Sequence, residues 1–352
     1  MTKSFTQPLV VNREGEIWSP QGIVGHADSK KSLEYLNSIG ADQQITTMTA
    51  ILPTIIEQKF YELPLADIVD IEVGQGNPFS AVLFNWTTSI EGGSFEAGLI
   101  NMAKNRADAN ADDIAVEPTE RHVIGWKKDV NYNIFEEGTF AQGTKNMDYA
   151  QQKYKARKKQ YDLGIQDTVM FGLKYDPVKY PGILTQANVT SNATLITKAL
   201  KDMTAEEFNT VIAGLLPAFM AQCAYTIKPN VFMIPADDFY GLSSQMSADY
   251  PLKTKLEVLE AALKTATGDG NFKVIPNAYC SKENNANIAG LNKNRYVLYR
   301  KESDTLIMNI PLDFTVTLPG TVNGFDYTSA AYSRFTGVKL FRDRAMMYFD
   351  RA

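Results

Sequence analysis

Cysteine and histidine are scarce: the 352 residues hold two of each. These are the side chains that most often bind metals, form disulfides or serve as nucleophile and base. Cys223 and Cys280 stand beside apolar or aromatic neighbours and outside any CxxC spacing, which predicts free, buried or half-buried thiols in a reducing compartment. His26 and His122 lack a cysteine or acid partner at ligand spacing and are expected on a surface or strand face. Phosphate-cradling GxxxxGK[ST] and GxGxxG loops are absent, as is a GxSxG elbow. Positive charge is not in excess either. Forty acidic against 35 basic side chains give a net charge of -5, which argues against tight, indiscriminate nucleic-acid binding. The N-terminal MTKSFTQPLVVN has only a three-residue apolar run, so it does not read as a signal peptide. No run approaches the length that spans a bilayer. These absences predict a soluble protein made in a cytoplasm.

The remaining candidates for chemistry have structural explanations. Asp112-Asp113 and Asp237-Asp238 fall at element boundaries, where aspartate caps helices and makes turns. Gly268-Asp269-Gly270 lacks the spaced acids and closing glutamate of a calcium loop. Asn85, Asn188 and Asn192 fit the glycosylation pattern, which carries no meaning without secretion. No catalytic, cofactor-binding or metal-binding residue is assigned, no cofactor is expected, and the chain is not read as an enzyme.

What is present is ordinary in amount: 44% apolar and 21% charged residues describe a folded chain. The length predicts two domains. The most organised stretch is Asn146 to Tyr175. Met147, Ala150, Tyr154, Tyr161, Ile165 and Val169 recur at helical spacing, while Lys153, Lys155, Arg157, Lys158 and Lys159 fill the other side. Asp176-Pro177 is expected to stop this helix, which would be a strut with a narrow apolar stripe and something laid across it.

Ahead of the strut, residues 1–45 read as an extended arm, too often punctuated by proline and glycine for regular structure, with a short helix at Ser32 to Ile39. From Thr46 a short helix and a strand follow. Ala81 to Ile90 and Arg121 to Ile134 are strands flanking about thirty polar residues that could not form a core alone. In the second strand His122, Ile124, Trp126, Lys128, Val130, Tyr132 and Ile134 share one face. Beyond the strut and a turn-rich passage comes an α+β region. Thr204 to Glu207 has capping-box spacing and opens a helix to about Ala224. Pro229 to Ile234 is a strand, and Leu252 to Ala266 a helix with Leu252, Leu256, Leu259, Leu263 and Ala266 inward, ended by Gly268. Phe272 to Ile275 is a strand, and Tyr296–Arg300 with Leu306–Ile310 reads as a hairpin. From Asp313 onward the chain is strand-like.

This order resembles the major capsid proteins of tailed bacteriophages, whose Hong Kong 97-like shell fold is shared with encapsulin compartments. NMDYAQQKYKARKKQYDLGIQDTVMFG looks like the family's spine helix, followed by the joining passage YPGILTQANVT. VFMIPADDFYGLSS is similar to the strand-proline-helix step of its axial domain. IPLDFTVTLPGTVNGFDYTSAAYSRFTGVKLFRDRAMMYFD looks like the strands that return to its peripheral domain. The resemblance implies an α+β fold with an N-terminal arm at 1–45 and an extended loop at 78–135. The peripheral domain would be 46–77, 136–192 and 311–352, and the axial domain 193–310. It implies a subunit that self-assembles through hexamers and pentamers into an icosahedral or prolate shell around double-stranded DNA, in a host bacterial cytoplasm. Scaffolding, portal and decoration proteins would be separate partners, with no membrane. An encapsulin-like cargo shell and a soluble α+β enzyme or small-molecule binder are the alternatives. Some family members cross-link a lysine to an asparagine; Lys104 lies in the loop, but no motif selects a pair.

Overall fold

The computed structural model describes residues 10–11, 16–19, 22–26, 59–91, 113–136, 149–247, 252–321 and 323–351. The expected helix at Ser32–Ile39, the middle of the polar excursion and Lys104 lie outside the described residues. Packing divides the chain into two units: Met1–Tyr61, Val130–Ala156 and Gly320–Thr328 form one, and Glu62–Asp129, Arg157–Pro319 and Ser329–Ala352 the other.

In the first unit, β1 (Val10–Val11), β2 (Glu16–Ser19) and β3 (Gly22–His26) form an antiparallel sheet. This corrects the expectation of an irregular arm. Ser19 pairs with Gly22, so β2 and β3 are regular strands on either side of the punctuation.

The larger unit is built on a five-stranded mixed sheet in the order β7-β16-β10-β8-β9. Its strands are β7 (Thr190–Asn192), β8 (Val231–Pro235), β9 (Lys273–Asn277), β10 (Asn294–Tyr299) and β16 (Met346–Arg351). The alternation of strand side chains splits its apolar residues between two cores. Phe232, Ile234, Tyr296, Leu298, Met347 and Phe349 face one core, which α3 (Ala205–Gln222) and α5 (Lys255–Thr267) cover with Phe208, Leu215, Leu259 and Leu263. Val231, Met233, Val297, Tyr299, Met346 and Tyr348 face the other. That second core is closed by α2 (Tyr149–Phe171) through Tyr161, Ile165 and Val169, and by β11 (Leu306–Ile310).

Both helices over the first core start as their sequences dictate. Thr204 and Thr254 each accept a hydrogen bond from the backbone N–H three residues on, and Glu207 and Glu257 return it. The second capping box also moves the expected start of α5 from Leu252 to Lys255. Leu252 precedes the cap and is 93% exposed, and Ala266 is exposed too, so neither faces inward; Thr267 is buried instead. Gly268, at φ +70°, ends the helix as expected. Between β8 and α5, the short α4 (Ala236–Gly241) carries Asp237 and Asp238 in its first turn.

Tyr296–Arg300 and Leu306–Ile310 are not a hairpin. β10 pairs with β8 and β16, whereas β11 pairs in parallel with β4 (Asp70–Val73), which follows the short α1 (Leu65–Ile68), and antiparallel with β15 (Lys339–Leu340). The tight turn at Glu302 to Thr305, closed by the Thr305 N–H on the Glu302 carbonyl, carries the chain from one sheet to another. A further sheet has the order β12-β14-β6-β5, with β5 at Val82–Glu91, β6 at Asp113–Asn133, β12 at Leu312–Val316 and β14 at Asp326–Thr336. The two-residue β13 (Gly320–Thr321) pairs with β14. The last described helix is α6 (Lys282–Ala289).

The strut is one continuous helix through Gly164, but it stops at Phe171, short of the predicted Asp176-Pro177. Gly172 takes φ +76°, and a Cβ there would lie 2.2 Å from the Tyr180 carbonyl oxygen. The chain therefore turns at the one residue that can turn and be approached so closely.

Candidate functional site

Among the described residues no group of three or more histidine, cysteine, aspartate or glutamate side chains is placed to hold a metal ion. No described helix is long and apolar enough to cross a membrane. Both cysteines are free and buried, and burial pushes the Cys280 thiol far above the usual range. His122 lies on β6 with its ring edge-on to Tyr180. Asp238, expected as a boundary cap, is buried and accepts hydrogen bonds from the Tyr296 hydroxyl and the Leu200 N–H. The features left are surfaces, and the first is the ribbon of β5 and β6.

These strands pair antiparallel from Val82 opposite His122 to Glu91 opposite Asp113. β6 thus starts eight residues before the predicted Arg121. Pro118 and the glutamates around it hid this stretch, because both depress strand propensity; an outer ribbon tolerates them. The register places Phe84, Trp86, Ile114, Val116 and Pro118 on one face. On that face Trp86 is 69% and Ile114 62% exposed, with Phe84 and Val116 each more than half exposed. The opposite face carries Asn85, Thr87, Glu117 and Thr119, with the Thr87 and Thr119 hydroxyls 3.0 Å apart. Glu117 and Glu120 point to opposite faces.

Nearer the body, Ile124 and Trp126 of the even-numbered face of β6 pack against the core. Trp126 packs on Tyr161 of α2 with ring centroids 5.1 Å apart, and both meet Phe314. This is the sheet laid across the strut. The five basic residues of the strut then part company. Arg157 is 2% exposed and its guanidinium donates to the Ser329 carbonyl at 2.6 Å, so it is a buried tie to β14 and does not belong to a basic surface. Lys153 bonds the Asn131 carbonyl oxygen at 2.8 Å and pairs with Glu136. Lys159 pairs with Glu62. Lys155 and Lys158 are exposed. Burial raises the Asp162 carboxyl pKa against the opposing pull of Lys158 and Lys159.

Two polar nodes had no sequence signal. Arg295 and Asp350 are buried side by side on β10 and β16, paired at 2.7 and 2.8 Å, with Ser191 and Lys293 also bonding the carboxylate. Arg121 is buried at the root of the ribbon. Both are long-range arrangements that no local spacing announces.

A family model described as "Major capsid protein" matches residues 97–351. No curated protein matches. Among solved structures, the capsid of Myoviridae phage XM1 is similar with a TM-score of 0.70 at 14% identity, over 86% of this chain and 97% of that one. The capsid of a native GTA particle gives a TM-score of 0.54 at 11% identity, over 86% and 95%. A structure of Mycobacterium phage Ogopogo gives 0.52 at 12%, over 89% and 99%.

Proposed function

The chain belongs to the major capsid protein family and has its Hong Kong 97-like α+β fold; from that premise, as a shell subunit, we propose that it builds the closed capsid of a tailed phage around double-stranded DNA. The observation that carries the reading is the ribbon. Four large apolar side chains on one face of two strands are a cost in water, and neighbouring subunits supply the missing cover. In this reading residues 78–135 are the extended loop, 1–45 the arm, 46–77, 136–192 and 311–352 the peripheral domain, and 193–310 the axial domain. Copies join as hexamers and pentamers of an icosahedral or prolate shell in the bacterial cytoplasm. Scaffolding, portal and decoration proteins are separate chains. The net charge of -5 suits a container whose wall must not hold DNA fast.

The test is Trp86→Ser combined with Val116→Ser. Both side chains are mostly exposed in the subunit, so its thermal midpoint should stay near that of the parent. Shells should be lost or much reduced. Wild-type shell yield from a normally folded double variant would contradict the proposal.

A further inference from the structure

Where the ribbon leaves the body, one buried charge ties four elements together. Arg121 of β6 donates through one terminal nitrogen to the Asn85 side-chain oxygen on β5 and through the other to the Asn309 side-chain oxygen on β11. Asn309 uses its amide nitrogen to donate to Glu72 of β4 at 2.9 Å, so the carboxylate is reached through a relay. The guanidinium also lies 5.7 Å from the centre of the Phe341 ring, and its Nε finds no acceptor among the described residues. Burial makes Arg121 easier to deprotonate, with Glu72 opposing that effect.

A buried guanidinium facing two amides, one nitrogen unsatisfied, is a poor way to gain stability. Apolar side chains of similar volume in place of the whole set commonly do as well or better. What an apolar residue cannot do is fix angles. The rigid fork of arginine holds two acceptors on two different elements in one plane. Beyond this node the outer part of the ribbon is solvent-exposed at Phe84, Trp86, Ile114 and Val116.

We propose that Arg121 is the positioning residue of the ribbon: with Asn309 and Glu72 it locks the root of β5 and β6 to the β4/β11 sheet and so sets the direction in which the apolar face is presented. Only the consequence for shells rests on the function proposed above; the lock itself is a property of the single subunit.

The experiment uses the full chain as unassembled subunits. Thr88→Cys on the ribbon and Glu283→Cys on α6 are both exposed and take spin labels, while the two native cysteines are buried. With Arg121 present, the label-to-label distances should form one narrow distribution. Arg121→Met should broaden it and lower the thermal midpoint, because the Asn85 and Asn309 oxygens lose their donor, and Asn309→Ala should broaden it in the same way. The rate of shell formation should fall about tenfold if the docking direction is held in only about a tenth of the subunits. A narrow, unshifted distribution in both variants would overturn the proposal, and if Arg121→Met does not fold, Asn309→Ala decides alone. Broadened distances with an unchanged assembly rate would uphold the lock and reject the ribbon's role in the shell.

Discussion

Asp350 sits buried on β16, where loss of water alone would raise its pKa. Hydrogen bonds from Arg295, Ser191 and Lys293 outweigh that and hold it at about 2 against an ordinary 3.8. Because the folded value lies below the unfolded one, the stabilisation is complete above about pH 4 and is lost as pH falls through about 2. A shift of this size is worth on the order of 2 kcal/mol. Asp350→Asn strands Arg295 in the core and should cost roughly 3 kcal/mol at neutral pH. Urea unfolding at pH 6 and pH 3 checks both points: the parent should weaken more than the variant on acidification. Two glycines offer a second test at this scale. Gly172→Ala forces a side chain into left-handed backbone and onto the Tyr180 carbonyl, and should cost more than about 3 kcal/mol. Gly164→Ala, inside α2 with open space around it, should stabilise by about 0.5–1 kcal/mol. Equal effects would mean that the tight corner after α2 has been misread.

Elements divide by how locally they are specified. Tyr161, Ile165 and Val169 of α2 are buried as their spacing predicts, because helical periodicity is a short-range property. Arg157 was indistinguishable from the lysines around it. Its acceptor, the Ser329 carbonyl, is 172 residues away, and nothing in the run KYKARKK points there. The turn after β10 shows the same limit, since its composition suits a hairpin while the choice of partner rests with β4, β8 and β16. Of the basic run, only Lys155 and Lys158 remain to meet another molecule. Changing both to glutamine should alter subunit stability by less than about 0.5 kcal/mol. If they dock an acidic surface of a second copy, shell yield at low salt should drop. The gap from the parent should then close as salt shortens the screening length below roughly 10 Å. Equal yields across the salt series would leave the pair as a solvated face.

At the scale of the molecule, the order of elements was legible because it survives errors in each of them. The arm proved to contain a sheet, the strut ends early and the expected hairpin is divided between two sheets. Yet the succession of ribbon, long helix, α+β region and closing strands stands. The sites were less legible: the apolar face of the ribbon depends on a register that runs through Pro118, and the Arg121 node on contacts from β4, β5 and β11. The central claim is that this chain is complete only as part of a shell. A single copy leaves Phe84, Trp86, Ile114 and Val116 in water, and in the proposed shell a neighbouring copy covers them. The most direct measurement is the solution mass of the purified protein by light scattering across a concentration series. The expected result is closed particles in the megadalton range built from the 39.1 kDa chain. A monomer or small oligomer that persists at every concentration and salt would contradict it.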